Sequence, residues 1–440
     1  MRCSCRHAYD IAKNQHIGFV MLDRRQTLQL LGQVGLGVPA LQAVAQDDPA
    51  TMPADPRRDL PATQADLGAL LAEIEQRIGP ANYPYSFLGD RFRDVADFTR
   101  TAREKLFELL RYRPAPVEPR AEVLERVERE DHIRERITFS TAPGVRVPAY
   151  VLLPRGLRNP APAIVDLHSH GGMFLFGKEK VIDLGRNHPV MTTYHERNYD
   201  GRPTATALVR RGYVVITIDA MGFGERRILM DADRDQGWDR SRYSVEQAQR
   251  LNQVCRAKES TLAKALAYAG LNWPGIVAWD DMRTVDYLAS RPDVDARRIG
   301  CLGISMGGYR TMNLVALDER IKAAVLVGFM STVRPMMRRH VDTHSWVHFM
   351  PELHRWLDWP DVASLAMPRS LMVLQCSRDG LFPLEGMRES LEKIGAAYAK
   401  AGCKEKYVGR FYDAPHQFTL GMQNDAFDWL DRELGRMPGR

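Results

Sequence analysis

The chain has 440 residues, 45% of them hydrophobic and 26% charged, with 33 Gly and 26 Pro. That composition excludes wholesale disorder, a collagen-like repeat and a multi-span membrane protein. The net charge is +6, and residues 1–45 carry half of it through Arg2, Arg6, Lys13, Arg24 and Arg25 against Asp10 and Asp23. What remains is too thinly spread for a nucleic-acid footprint. Six cysteines in so long a chain make no disulfide framework. Cys301 and Cys376 sit in apolar runs and read as small buried hydrophobes, whereas Cys255 and Cys403 leave one pairing open. No C-x-x-C motif is present, so a zinc site of the usual kind is not expected.

Taken in chain order, the N-terminus reads as an address. Arg24-Arg25 precede a weakly apolar stretch, Leu28 to Val44, that ends in Ala43-Val44-Ala45. The stretch is too polar and too short for a membrane span. It resembles a twin-arginine export signal with an A-x-A cleavage pattern. The signal peptide would make Met21 the true start and Gln46 the first mature residue, and it places the protein in the periplasm or outside the cell. The chain then divides into three segments: an extension and signal over 1–45, a linker and helical segment over 46–130, and a catalytic domain over 131–440.

Within the middle segment, 47–62 is rich in Pro, Asp and Arg and reads as linker. Helical spacing appears at 65–78 and at 91–111, where Val95, Phe98, Ala102, Leu106 and Leu109 recur every three to four residues. This segment is expected to pack on the catalytic domain rather than fold alone. From about residue 131, apolar β-branched runs alternate with helical ones. Strands are predicted at 137–141, 145–153, 163–168, 214–219, 299–304, 323–328, 371–375 and 406–412. Helices are predicted at 276–289, 306–317, 384–400 and 422–434. Continuous apolar strands between helices imply an α/β fold, with a mostly parallel sheet covered on both faces. Two stretches break the alternation: 226–268 is polar, and 330–360 is rich in aromatic residues and His. Insertions of this kind lie over strand ends, where ligands bind.

Gly303-Ile304-Ser305-Met306-Gly307 matches G-x-S-x-G. The match alone is weak, but an apolar strand ends at Ser305 and a helix-like run begins at Met306. A sharp strand-to-helix turn strains the serine backbone and needs small residues on either side, the arrangement called a nucleophile elbow. A serine hydroxyl needs a base, and the base needs an orienting acid. Downstream, Asp379 follows one predicted strand and His416 another, in the order this chemistry uses. Asp413 competes as the acid but lies in the same loop as His416 and reads as a turn residue.

A tetrahedral intermediate needs two backbone donors. Met306, after the nucleophile, is one. The strand at 163–168 runs into Ser169-His170-Gly171-Gly172, an HGG-type loop, with Gly172 preferred as the second donor over Gly171. His168 and His170 also form an H-x-H pair, the spacing of some metal-dependent amidohydrolases, but a serine elbow argues against that chemistry. His340, His344 and His348 share one face if helical; a pocket wall containing His170, Trp346 and His348 is preferred to a metal site.

At this point the residues resemble a family. DLHSHGG at 166–172, IDAMGFGE at 218–225, VDYLASRPDVDARRIGCLGISMGGYR at 285–310, DWPDVASLAMPRSL at 358–371, CSRDGLFPLEG at 376–386 and DAPHQF at 413–418 resemble the α/β-hydrolases of the dienelactone hydrolase and acetyl xylan esterase-like group. The resemblance implies the α/β-hydrolase fold. It puts nucleophile, acid and base on Ser305, Asp379 and His416, and implies ester hydrolysis, with acetyl or other esters of carbohydrates among the substrates. Dienelactone hydrolase proper commonly carries cysteine where this chain has Ser305, and one branch of acetyl xylan esterases carries Gln where it has Met306. The expected enzyme is a serine carboxylic-ester hydrolase acting through an acyl-enzyme, with no metal or organic cofactor and a small-molecule or carbohydrate ester as its partner. Activity should rise with pH as His416 loses its proton. Two other readings stand beside it: a serine peptidase of the prolyl-oligopeptidase type, for which 46–130 is too short and helical to be the usual β-propeller, and a non-catalytic binding protein on a hydrolase scaffold.

Overall fold

The computed structural model describes residues 63–78, 83–231 and 240–436. The export signal expected at 21–45 and the linker at 47–62 lie outside the described residues. Nine strands form one sheet: β1 Glu122–Glu128, β2 His132–Ala142, β3 Val145–Pro154, β4 Ala161–Asp166, β5 Val214–Ile218, β6 Val294–Ile304, β7 Ile321–Val327, β8 Ser370–Cys376 and β9 Tyr407–Tyr412. Their order is β1-β2-β3-β5-β4-β6-β7-β8-β9. The pairs from β1 to β5 across β2 and β3 are antiparallel, and every pair from β5 through β4 to β9 is parallel.

Parallel strands buried on both faces must be apolar at successive positions, and β4, β5 and β8 are buried throughout. Neighbouring side chains point to opposite faces. Thus Ala324 and Leu326 enter one core cluster while Ala323, Val325 and Val327 enter the other. Eleven α-helices are described: α1 Leu70–Ile78, α2 Val95–Leu110, α3 Pro189–Tyr199, α4 Thr204–Arg210, α5 Val245–Tyr268, α6 Trp273–Ala289, α7 Met306–Leu317, α8 Val333–Arg338, α9 Trp359–Ser364, α10 Leu384–Lys400 and α11 Leu420–Glu433. This is the α/β-hydrolase architecture. Among the described residues no helix is long and apolar enough to cross a membrane.

The apolar stripe of α2, with Phe98, Ala102, Leu106 and Leu109, enters the core cluster that also holds β6 and α7. Asp94 caps that helix by accepting from the Ala96 N–H at 3.0 Å. The sheet begins earlier than the change of pattern near residue 131, because β1 pairs with β2 from Glu122 onward. Almost every β1 side chain is exposed, so no apolar period announced it. Within the polar insertion at 226–268, α5 runs for 24 residues behind a capping box of Ser244 and Gln247. Cys255, Cys301, Cys376 and Cys403 are all free and buried, so the pairing of Cys255 with Cys403 is not made: one lies on α5 and the other beyond α10.

Candidate active site

Ser305 follows β6 and caps α7 with φ 60° and ψ −124°, a conformation costing about 1–3 kcal/mol that persists only where the surroundings impose it. Its N–H donates to Val327 O at 2.9 Å, and its carbonyl accepts from the Tyr309 N–H at 3.0 Å. The two flanking glycines make the turn sterically feasible. A Cβ on Gly303 would meet the Gly307 backbone, and one on Gly307 would meet Leu167 O. The hydroxyl end of the turn opens on a cavity of about 790 Å³.

His416 follows β9 and Asp379 follows β8, so parallel pairing brings both loops to the edge where Ser305 sits. His416 Nδ1 lies 2.6 Å from Asp379 Oδ2. The Asp379 side chain is fully buried and that of His416 is 20% exposed, so the carboxylate is sealed away while the ring reaches the cavity. Beside a carboxylate, Nδ1 carries the proton, which leaves a lone pair on Nε2. That Nε2 is buried and has no hydrogen-bond partner. A Cβ on Gly328 would lie 3.4 Å from His416 Cε1 and 3.7 Å from Ile304 Cγ1, which sets the ring beside the residue preceding Ser305. Ser305 and His416 line the same cavity. Asp413 instead faces outward and pairs with Arg378 at 2.7 Å.

The HGG loop closes another side of the cavity, with Gly171 at φ 54° and Gly172 at φ 67°. The two candidate backbone donors differ in their hydrogen bonding. The Gly172 N–H donates to His170 Nδ1 at 3.0 Å and is therefore spent, while the Gly171 N–H has no partner among the described residues. Because Nδ1 accepts, the proton of His170 sits on Nε2, which donates to Glu259 Oε1 at 3.2 Å. The N–H of Met306, in the first turn of α7, is one of the donors a helix leaves unpaired. His168 is fully buried, with Nδ1 donating to Ser169 O at 3.0 Å and Nε2 accepting from the Ala220 N–H at 3.2 Å. Both its nitrogens are used in the fold.

His344 and His348 line the cavity and His340 does not. The three do not share a helix: His340 has φ 79°, and His348 ends a short 3-10 turn, Trp346–His348. His344 Nδ1 donates to His340 O at 2.7 Å, while His344 Nε2 and both ring nitrogens of His348 are buried without partners. Burial lowers the pKa of His170 and His344 and carries His348 well below the ordinary imidazole value. Trp346 is not part of the wall: it is 45% exposed, edge-on to Phe349. Among the described residues no three His, Cys, Asp or Glu side chains are grouped to hold a metal.

Sequence reasoning missed Arg197, Arg256 and Glu259, which also line the cavity, because the last two lie on the unforeseen α5. It missed too the ionic cluster behind the HGG loop. Buried Lys178 meets Asp219 at 2.6 Å, Glu225 at 2.7 Å and Glu179 at 3.2 Å, and Arg240 meets Glu179 at 2.6 Å. Burial alone would raise Glu179, but Arg240 and Lys178 hold it at about 2.

Residues 80–417 match the Abhydrolase family. The chain belongs to that family. It is similar to a candidate hydrolase, YtaP, of Bacillus subtilis (strain 168), 28% identical over 333 residues that span 76% of this chain and 98% of that protein. Among solved structures it is similar to a candidate acetyl xylan esterase of Bacteroides fragilis NCTC 9343, at TM-score 0.60 and 19% identity, covering 78% of this chain and 81% of the other. It is also similar to a glucuronoyl esterase from Solibacter usitatus, at TM-score 0.55 and 16% identity, covering 80% and 98%. At such identities the likeness shows the fold.

Proposed function

We propose that the protein is a serine hydrolase of carboxylic esters, with Ser305 as nucleophile, His416 as base and Asp379 as orienting acid. The observation that carries this reading is the 2.6 Å contact of His416 Nδ1 with a sealed Asp379 carboxylate, which leaves an unpartnered Nε2 on the cavity that Ser305 also lines. In this scheme Ser305 Oγ attacks the ester carbonyl and its proton passes to His416 Nε2. The tetrahedral oxyanion is held by the backbone N–H groups of Met306 and Gly171. Collapse expels the alcohol, which leaves with the proton from His416. Water, deprotonated by the same ring, then releases the acid and restores Ser305. Asp379 keeps the proton on Nδ1 and stabilises the imidazolium.

For the substrate we propose an ester of a carbohydrate. Two supports are independent of the triad: fold neighbours named as acetyl xylan and glucuronoyl esterases, and a cavity wall whose polar side chains, Arg197, Asn198, Arg256 and Glu259 among them, suit hydroxyl groups. The test is a panel of acetylated sugars, aryl esters and glucuronate methyl esters, run alongside Ser305→Ala. The substitution should lower kcat by about 10⁵-fold and abolish labelling by a fluorophosphonate probe. A Ser305→Ala protein that kept its full rate on p-nitrophenyl acetate would end this reading, and a wild-type protein that never labels would favour a binding role.

A further inference from the structure

Lys178 and Lys180 share one turn of 3-10 helix, Lys178–Val181, and both are fully buried. Their surroundings differ. Lys178 is ringed by carboxylates. Lys180 makes no ion pair among the described residues. Its Nζ donates to Ser169 O at 2.7 Å and His170 O at 3.0 Å, and it lies 4.5 Å from the ring centre of Phe223. A buried ammonium without a counter-ion costs several kcal/mol, and burial pulls the Lys180 pKa well below the ordinary lysine value. Packing stability therefore gives no reason for a lysine here, since a methionine would fill the space without that cost.

The two carbonyls it holds belong to the HGG loop. In a trans peptide the C=O and the following N–H point in opposite directions. The only cis bond among the described residues is Met367-Pro368, so the His170–Gly171 peptide is trans. With His170 O drawn inward to Lys180, the Gly171 N–H must face away from the buried side. Gly171 lines the cavity with Ser305, and its N–H is unpartnered. Its place is tightly fitted: a Cβ there would collide with Tyr194 Oη, and Tyr194 is itself held 2.5 Å from Ser169 Oγ. We propose that Lys180 is the positioning residue of the oxyanion hole, fixing the Ser169 and His170 carbonyls on the buried side so that the Gly171 N–H is aimed at the developing oxyanion opposite the Met306 N–H. The inference rests on the serine-hydrolase reading above and adds to it the group that sets the second donor.

Two variants test it, Lys180→Met and Lys180→Gln. The first deletes both hydrogen bonds at similar volume, and the second keeps a neutral amide donor. Active sites are counted by fluorophosphonate titration, and kcat and KM for p-nitrophenyl acetate are referred to that count. Lys180→Met should lower kcat per titrated site by about 100-fold with KM within about twofold, and slow phosphonylation in parallel, because both reactions place negative charge on the same donors. Lys180→Gln should fall between wild type and Lys180→Met, and it decides the matter if the methionine variant does not fold. A kcat per site within about threefold of wild type in the folded variant, or a loss confined to KM or to the number of titratable sites, overturns the proposal. If wild-type protein neither labels nor hydrolyses, it is the serine-hydrolase reading that has failed.

Discussion

Behind the HGG loop and in front of it lie two groups of buried polar atoms that are treated in opposite ways. Behind it, each of the charges on Lys178, Glu179, Asp219, Glu225 and Arg240 meets an opposite charge. In front of it, His416 Nε2, His344 Nε2 and both nitrogens of His348 meet nothing among the described residues. Folded proteins leave few buried polar groups unpaired. A fully paired set fixes where the chain goes, whereas an unpaired set gathered around one cavity is not explained by folding alone. The serine turn belongs with the second set, since its strained backbone is likewise not explained by stability.

The contrast can be broken from either side. Asp379→Asn removes the charge that holds the His416 tautomer and should lower kcat about 10⁴-fold; thermal unfolding should show the variant still folded. A fall of only a few fold would mean the acid lies elsewhere and the cavity set is misread. Lys178→Met strips the paired set of its central cation, leaving Asp219 and Glu225 facing each other. It should cost about 3–5 kcal/mol in urea unfolding, with kcat per titrated site little changed. A variant as stable as wild type would show that the ionic cluster does not stabilise the fold. His348→Phe sharpens the comparison most finely. The native imidazole, held neutral by burial, titrates well below the unfolded value of about 6.5. Below that pH the unfolded chain binds a proton that the native state refuses, so wild type loses stability as pH falls. The variant keeps an aromatic ring against Tyr309 and Phe329 and lacks this loss. Its stability relative to wild type should grow by up to about 1.4 kcal/mol per pH unit below 6.5, read from unfolding curves at several pH values. Parallel curves would mean that the His348 ring titrates normally.

What the sequence made legible were features carried by local runs. The central strands announced themselves by continuous burial, and Ser305 and Asp379 follow such strands, β6 and β8, whereas His416 follows β9, the partly exposed edge strand. The edge strand β1 was hidden because its order comes from backbone pairing with β2 and from contacts such as Arg134–Glu125, not from an apolar face. Helix α5 was hidden because few of its 24 residues are buried, Ala248, Leu251, Cys255 and Leu266 among them. The spacing of His340, His344 and His348 suggested a helix that the left-handed turn at His340 breaks. The Lys178 cluster draws its members from four separated segments, so nothing in any one of them signals it. The engagement of the Gly172 N–H depends on a single side chain, His170, whose acceptor nitrogen no local pattern foretells.

Glu259 has a consequence for how this molecule can change. Its Oε1 accepts from His170 and also from the Ser345 hydroxyl. One carboxylate on α5 thus ties both departures from the regular strand–helix alternation, 226–268 and 330–360, to the loop beside Ser305. Neither segment can be swapped for a foreign one as an independent cassette. A graft that reshapes the entrance would also release His170, so substrate range and turnover are inherited together.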